Sequence, residues 1–170
     1  MANRRSYAGY VLLGVLALFG IGYVARPFLN KSNAKNSTVE QTTTAPAFVK
    51  EGEVRFIQDG KTLQKIDVEI AQNDQELQKG LMFRPFMPDS VGMLFIFEQS
   101  EPQGFWMRNT MISLDIIYVN EQKQIISIQK NATPYSEQTL PSLGDARYVV
   151  EVNGGYCDKH GIKAGNTISF

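Results

Sequence analysis

Four ionic side chains stand among apolar neighbours in this chain. Arg84 and Arg108 lie within the stretch Gly80–Asp115, Asp115 closes it, and Glu151 is set in Tyr148-Val149-Val150-Glu151-Val152. Burying a charge is costly unless it is paired and hydrogen-bonded. The planar fork of an arginine can satisfy both oxygens of a carboxylate, so Arg84 and Arg108 are the expected partners of Asp115 and Glu151. Asn109 and Thr110 can add hydrogen bonds, and Phe105, Trp106 and Met107 supply an apolar wall. Aromatic surface with a few converging polar groups is how small-molecule sites are built, sugar sites included. The candidate ligand-binding set is therefore Arg84, Trp106, Arg108, Asn109, Thr110, Asp115 and Glu151. The plainer alternative is an internal ion network that fixes strand register, since structural ion pairs can mimic sites.

Catalytic chemistry fits these residues less well. A glycosidase needs two carboxyl groups ~5–9 Å apart, one with a raised pKa. Asp115 and Glu151 are the candidates, but arginine partners would lower both pKa values. Cys157 and His160, the single Cys and single His, are spaced i, i+3 with nothing evident to orient the imidazole or depress the thiol's pKa. One Cys makes no internal disulfide, and no Cys/His cluster, phosphate loop or calcium-loop motif is present. No metal or cofactor is expected. The formal net charge is zero, with no long basic run, which argues against nucleic acid as a partner.

The elements that must position these residues follow from turn signals and apolar alternation. Asp59-Gly60 between alternating segments predicts a hairpin. Asn73 with Glu76 three residues on predicts a capped helix start, with Leu77 and Leu81 turned inward and a stop near Gly80 before Pro85. Strands are expected at Met93–Phe97, Phe105–Met111, Leu114–Val119, Ile125–Gln129, Tyr148–Val152 and Thr167–Phe170. A long loop is expected from Ala132 to Gly144, and a helical turn over Tyr156–His160 ending at Gly161. In Leu114–Val119, Asp115 shares a face with Ile117 and Val119; Glu151 shares one with Val149 and Asn153. Many short strands and few helices predict a mainly β domain, a sandwich or barrel with one or two short helices.

The first residues read differently. Tyr7–Ala25 is an uncharged run of 19 residues, roughly 28 Å as a helix, about one bilayer core. Tyr7, Tyr10, Tyr23 and Phe28 flank it as interfacial aromatics do. Bulky Tyr23 and the following Arg26-Pro27 make a poor cleavage site, so residues 1–29 are expected to be a transmembrane anchor rather than a removed signal segment. Residues 30–47, rich in Asn, Ser and Thr, are expected to be a flexible linker. Residues 48–170 then form the β domain, on the periplasmic or exterior side of a cell membrane that residues 7–25 cross once. A cleaved segment would make it secreted.

Gly80-Leu81-Met82-Phe83-Arg84, Gly92-Met93-Leu94-Phe95, Phe105-Trp106-Met107-Arg108-Asn109-Thr110, Leu114-Asp115 and Tyr148-Val149-Val150-Glu151 occur in that order. In these blocks, from about Val54 onward, the chain resembles the bacterial and archaeal family catalogued as domain of unknown function 192. Ser113 stands where the family pattern usually has Pro, while the Leu114-Asp115 pair is intact. The resemblance implies a compact, jelly-roll-like β domain behind a signal or membrane segment, and it implies no particular chemistry. The functional expectation is a non-catalytic ligand-binding or assembly module of the cell envelope, with a saccharide or peptide as ligand. A hydrolase of such a polymer is the alternative.

Overall fold

The structure is a computed structural model that describes residues 46–170. The expected anchor over 7–25 and nearly all of the expected linker lie outside the described residues. Among the described residues no helix is long and apolar enough to cross a membrane.

The domain is mainly β. In chain order it runs β1 (Gly52–Gln58), β2 (Lys61–Ala71), α1 (Asp74–Lys79), β3 (Val91–Phe105), β4 (Leu114–Val119), β5 (Ile125–Ala132), β6 (Leu140–Asn153), α2 (Tyr156–His160) and β7 (Thr167–Ser169). The seven strands form one sheet in the order β5-β4-β6-β3-β2-β1-β7. Every pairing is antiparallel except β2 with β3, which α1 connects. The two sheet ends meet. The Ile125 amide donates to the Asn166 carbonyl at 2.8 Å, and the Ile168 amide to the Lys123 carbonyl at 2.9 Å. The sheet is thus curled into a half-barrel, which ties down edge amides that would otherwise be open to pairing.

Alternation along the strands sorts the side chains into two clusters. Val54, Phe56, Val68, Leu94, Ile117, Val150 and Val152 pack with Ile125 and Ile168 from the two sheet ends, so this cluster fills the concave side, with Tyr156 and Cys157 of α2 against it. Met93, Phe95, Ile116, Tyr118 and Val149 form the other face, covered by Leu81, Met87 and Met107 from the connecting segments.

Local chemistry explains the turns. Asp59 and Gly60 both have positive φ, 49° and 75°, the geometry of a two-residue hairpin that twists with its strands. α1 carries the complete capping box: the Asn73 side chain accepts from the Glu76 amide, and the Glu76 carboxylate accepts from the Asn73 amide. The helix itself buries nothing fully; Leu77 is half-buried and Leu81, just past Gly80, is buried.

Two expectations are corrected. Residues 106–113 are a loop, not part of a Phe105–Met111 strand: Asn109 has φ 55° and the Thr110 amide turns back to the Met107 carbonyl. The expected loop from Ala132 to Gly144 is shorter, because β6 begins at Leu140 and pairs Leu140 and Pro141 with Phe105 and Gly104 of an extended β3. Pro141 and Pro102 are tolerated because the ladder is irregular there, with register shifts between Ile96 and Glu101 and between Pro102 and Gly104.

Candidate functional site

Glu151 and Asp115 sit on neighbouring antiparallel strands, yet on opposite faces. Glu151 lies opposite Ile116 on β4 and opposite Met93 on β3. Asp115 lies opposite Val152. Their carboxyl groups cannot flank one scissile bond, which removes the Asp115/Glu151 glycosidase pair on geometry.

Asp115 is 0% exposed and has no arginine partner among the described residues. Its carboxylate accepts three backbone N–H groups instead: Asn131 at 2.8 Å, Gly155 at 3.1 Å and Cys157 at 2.8 Å. It therefore ties β5 and the start of α2, a helix whose N-cap Gly155 offers no side chain, to the centre of the sheet. The same packing disables Cys157. Burial first, and then the nearby Asp115 charge, push the thiol well above its usual range, the wrong direction for a nucleophile. His160 packs against Tyr156 with ring centroids 4.3 Å apart and the ring planes tilted by 48°.

Arg84 is buried and pairs with Glu69, a residue outside the predicted set. Glu69 sits between Val68 and Ile70 just as Glu151 sits between Val150 and Val152, and that similarity was the available signal. Glu69 also accepts the Val49 amide at 2.8 Å, so the chain entering the domain covers this ion pair. Arg84 and Glu69 line a cleft of their own with Glu51, Glu76 and Met93.

Glu151 is left without a partner among the described residues. It is 4% exposed, no hydrogen bond or ion pair from a described residue reaches its carboxyl, and burial raises its pKa to about 8. It forms part of the wall of a cavity of about 230 Å³ lined by Leu77, Gly80, Phe95, Phe97, Gln103, Phe105, Trp106 and Thr110, among others. Phe105 is the hub of the aromatic wall, edge-on to Phe95 at 5.0 Å, Phe97 at 6.3 Å and Tyr118 at 5.8 Å. Gly80 leaves the space in front of the carboxyl open. A Cβ there would meet the Phe95 ring at 3.2 Å and Glu151 Oε2 at 3.8 Å, and its φ of 45° already disfavours a side chain. Gln103, also missed by sequence reasoning, lines the same cavity, and its buried Nε2 has no hydrogen-bond partner.

Of the predicted set, the structure gathers Trp106, Thr110 and Glu151 in this pocket. Arg108 stands outside it: its guanidinium lies 4.0 Å from the Trp106 ring centroid and pairs with the exposed Glu137 at 3.1 Å. Asn109 is exposed in the same loop, with its amide 3.9 Å from the Met82 sulfur. The loops around Trp106 are laced by backbone bonds, Phe83 amide to Asn109 carbonyl and Tyr135 amide to Thr110 carbonyl. Phe83, Asn109 and Tyr135 each hold positive φ, 63°, 55° and 61°, and all three are exposed. Strain of this kind concentrates at functional surfaces.

Fold and pocket together define a small β half-barrel domain with a solvent-accessible, aromatic-walled pocket around one unpaired carboxyl. The chain belongs to the DUF192 family, described as an uncharacterized ACR, whose profile matches residues 55–170. Two solved structures are similar at 34% identity and TM-score 0.68. One is a candidate transcription regulator from Sinorhizobium meliloti 1021, covering 73% of this chain and 95% of that one. The other is a protein of unknown function from Novosphingobium aromaticivorans DSM 12444, covering 74% and 94%. No curated protein matches.

Proposed function

We propose that the domain is a non-catalytic binding module whose pocket takes one ring-sized part of a ligand, and that it works in the cell envelope, tethered to the membrane through residues 7–25. The observation that carries the binding reading is a pair of polar groups without a partner among the described residues, the Glu151 carboxyl and the Gln103 Nε2, in one aromatic-walled cavity. Buried polar groups are ordinarily satisfied, so two left open in the same place call for a ligand. The volume, about 230 Å³, lies between the ~150 Å³ that holds a benzene ring and the ~300 Å³ at which drug-sized pockets begin. A single ring of a saccharide or a peptide side chain fits it.

A hydrolase remains the second reading because Glu69, Met93 and Glu151 lie in one row across the sheet. Glu69 is held in an ion pair with Arg84, while burial raises the pKa of Glu151, as a general acid needs. Binding is preferred because Glu69 is covered by Arg84 and Val49 in the neighbouring cleft. A regulator that contacts nucleic acid would need a basic face, and the formal net charge is zero.

Trp106 is the only Trp of the chain and lines the pocket, so its fluorescence reports occupancy. Soluble saccharide and peptide fragments of the envelope should give a saturable change that Gly80→Val, which fills the space before Glu151, removes. Silence across the panel, or an undiminished signal in the folded variant, contradicts the reading. Turnover of a fragment, abolished by Glu151→Gln, would favour the hydrolase.

A further inference from the structure

No described residue partners the Glu151 carboxyl. Its neighbours on β3 are Met93 and, on the diagonal, Phe95, with Phe97 further along the cavity wall, and β4 presents Ile116 and Tyr118. The Tyr118 hydroxyl donates to the Leu140 carbonyl and is held protonated chiefly by burial. α1 contributes Lys79, an exposed group at the pocket edge. The 106–110 loop contributes Trp106 and Thr110, whose hydroxyl donates to the Arg108 carbonyl at 3.3 Å. Arg108 is engaged with Glu137 on the outer side, and Arg84 with Glu69 in the next cleft.

Building on the binding reading, we infer that the pocket selects ligands carrying a protonated amine, which the Glu151 carboxylate receives while the aromatic walls enclose it and the Gln103 amide holds a second polar atom. A polyol would fare worse. Its several hydroxyls would meet only Glu151, Gln103 and an already engaged Thr110, and each buried hydroxyl without a partner is costly. An ammonium needs one compensating charge, which Glu151 provides, and the faces of Phe and Trp rings attract cations. Burial, with no compensating charge from a described residue, keeps Glu151 largely protonated at neutral pH; an ammonium would stabilise the carboxylate, releasing a proton to solvent on binding.

The test sets isosteric amine and alcohol probes against each other on the full-length protein, read by Trp106 fluorescence and calorimetry. Benzylamine is compared with benzyl alcohol, and glucosamine with glucose to separate an aryl amine from an amino-sugar source. At least one amine should bind about tenfold or more tightly than its alcohol at pH 8, because truncating one side of a buried charge pair loses at least that much. For benzylamine, whose ammonium persists across the range, affinity should fall by roughly five- to tenfold per pH unit from about pH 8 down to pH 6, as the competent, ionised form of Glu151 becomes rare. Glu151→Gln should erase the discrimination. An alcohol that binds as tightly as its amine, or an affinity that rises toward pH 6, overturns the amine inference while leaving the pocket a binding site. Failure of all four probes to bind overturns both, and the wild-type pH profile decides even if the variant folds poorly.

Discussion

Two carboxylates one strand apart behave as opposites because of what meets them. Asp115 is met by three amides and stays an anchor; Glu151 is met by ring carbon and resists ionisation. The folded-state pKa of Glu151, about 8, lies above its ordinary 4.5. Between those values the folded protein binds more protons than the unfolded chain. The contribution is therefore full below about pH 4.5 and is lost as pH rises toward 8, at up to about 1.4 kcal/mol per pH unit. Glu151→Gln should flatten that slope and be more stable than the native chain at pH 8, as denaturant midpoints at pH 5 and pH 8 would read. Asp115→Asn turns one acceptor into a donor against amides, and should cost about 3 kcal/mol. Arg108→Ala, at an exposed cation stacked on Trp106, should cost about 1 kcal/mol or less. Equal, large losses in both would mean that Arg108 shares a sealed network with Asp115. The burial of both carboxylates was legible from alternation. Their partners were not, because every residue carries an amide and nothing in the residue types says that Asn131, Gly155 and Cys157 would converge on Asp115.

At the scale of elements, the signals that are local in sequence held. The Asp59-Gly60 hairpin, the Asn73/Glu76 capping box, the Leu114–Val119 strand and the Tyr156–His160 turn all rest on chemistry within a few residues. The long arms of β3 and β6 were illegible because their register shifts and prolines hide the alternation, and only pairing with each other keeps them extended. Close approach of those two strands makes Gly92 restrictive: a Cβ there would sit 2.5 Å from the Glu151 carbonyl oxygen. Gly92→Ala should cost on the order of 3 kcal/mol or more, since backbone rather than a flexible side-chain tip must move. Asn73→Ala should cost only about 1 kcal/mol, the usual loss of a helix cap. Thermal or denaturant melts of the pair would check the ordering, and a mild Gly92→Ala would show that β3 and β6 can separate at that point.

At the scale of the molecule, the mainly β class was readable from strand count, whereas the closure of the half-barrel was not. It depends on Lys123, Ile125, Asn166 and Ile168 meeting across more than forty residues of chain. The described residues hold one Cys, buried and unpaired, and no cluster of metal-ligating side chains. Residues 46–170 expressed alone should give the same β-type circular dichroism with and without chelator and reductant; loss of structure under either would contradict a domain stabilised by packing alone. Mass analysis of membrane-bound protein should find the N-terminal segment retained, and a start at Arg26 or later would remove the anchor. Binding, selectivity and pH dependence all turn on Glu151 lying in an apolar pocket without a partner among the described residues. Carboxyl-carbon NMR of the ligand-free protein, followed across pH, measures that state directly. It should place Glu151 near 8; a midpoint near the ordinary 4.5 would mean a solvated or paired carboxylate, and the pocket as described would not exist.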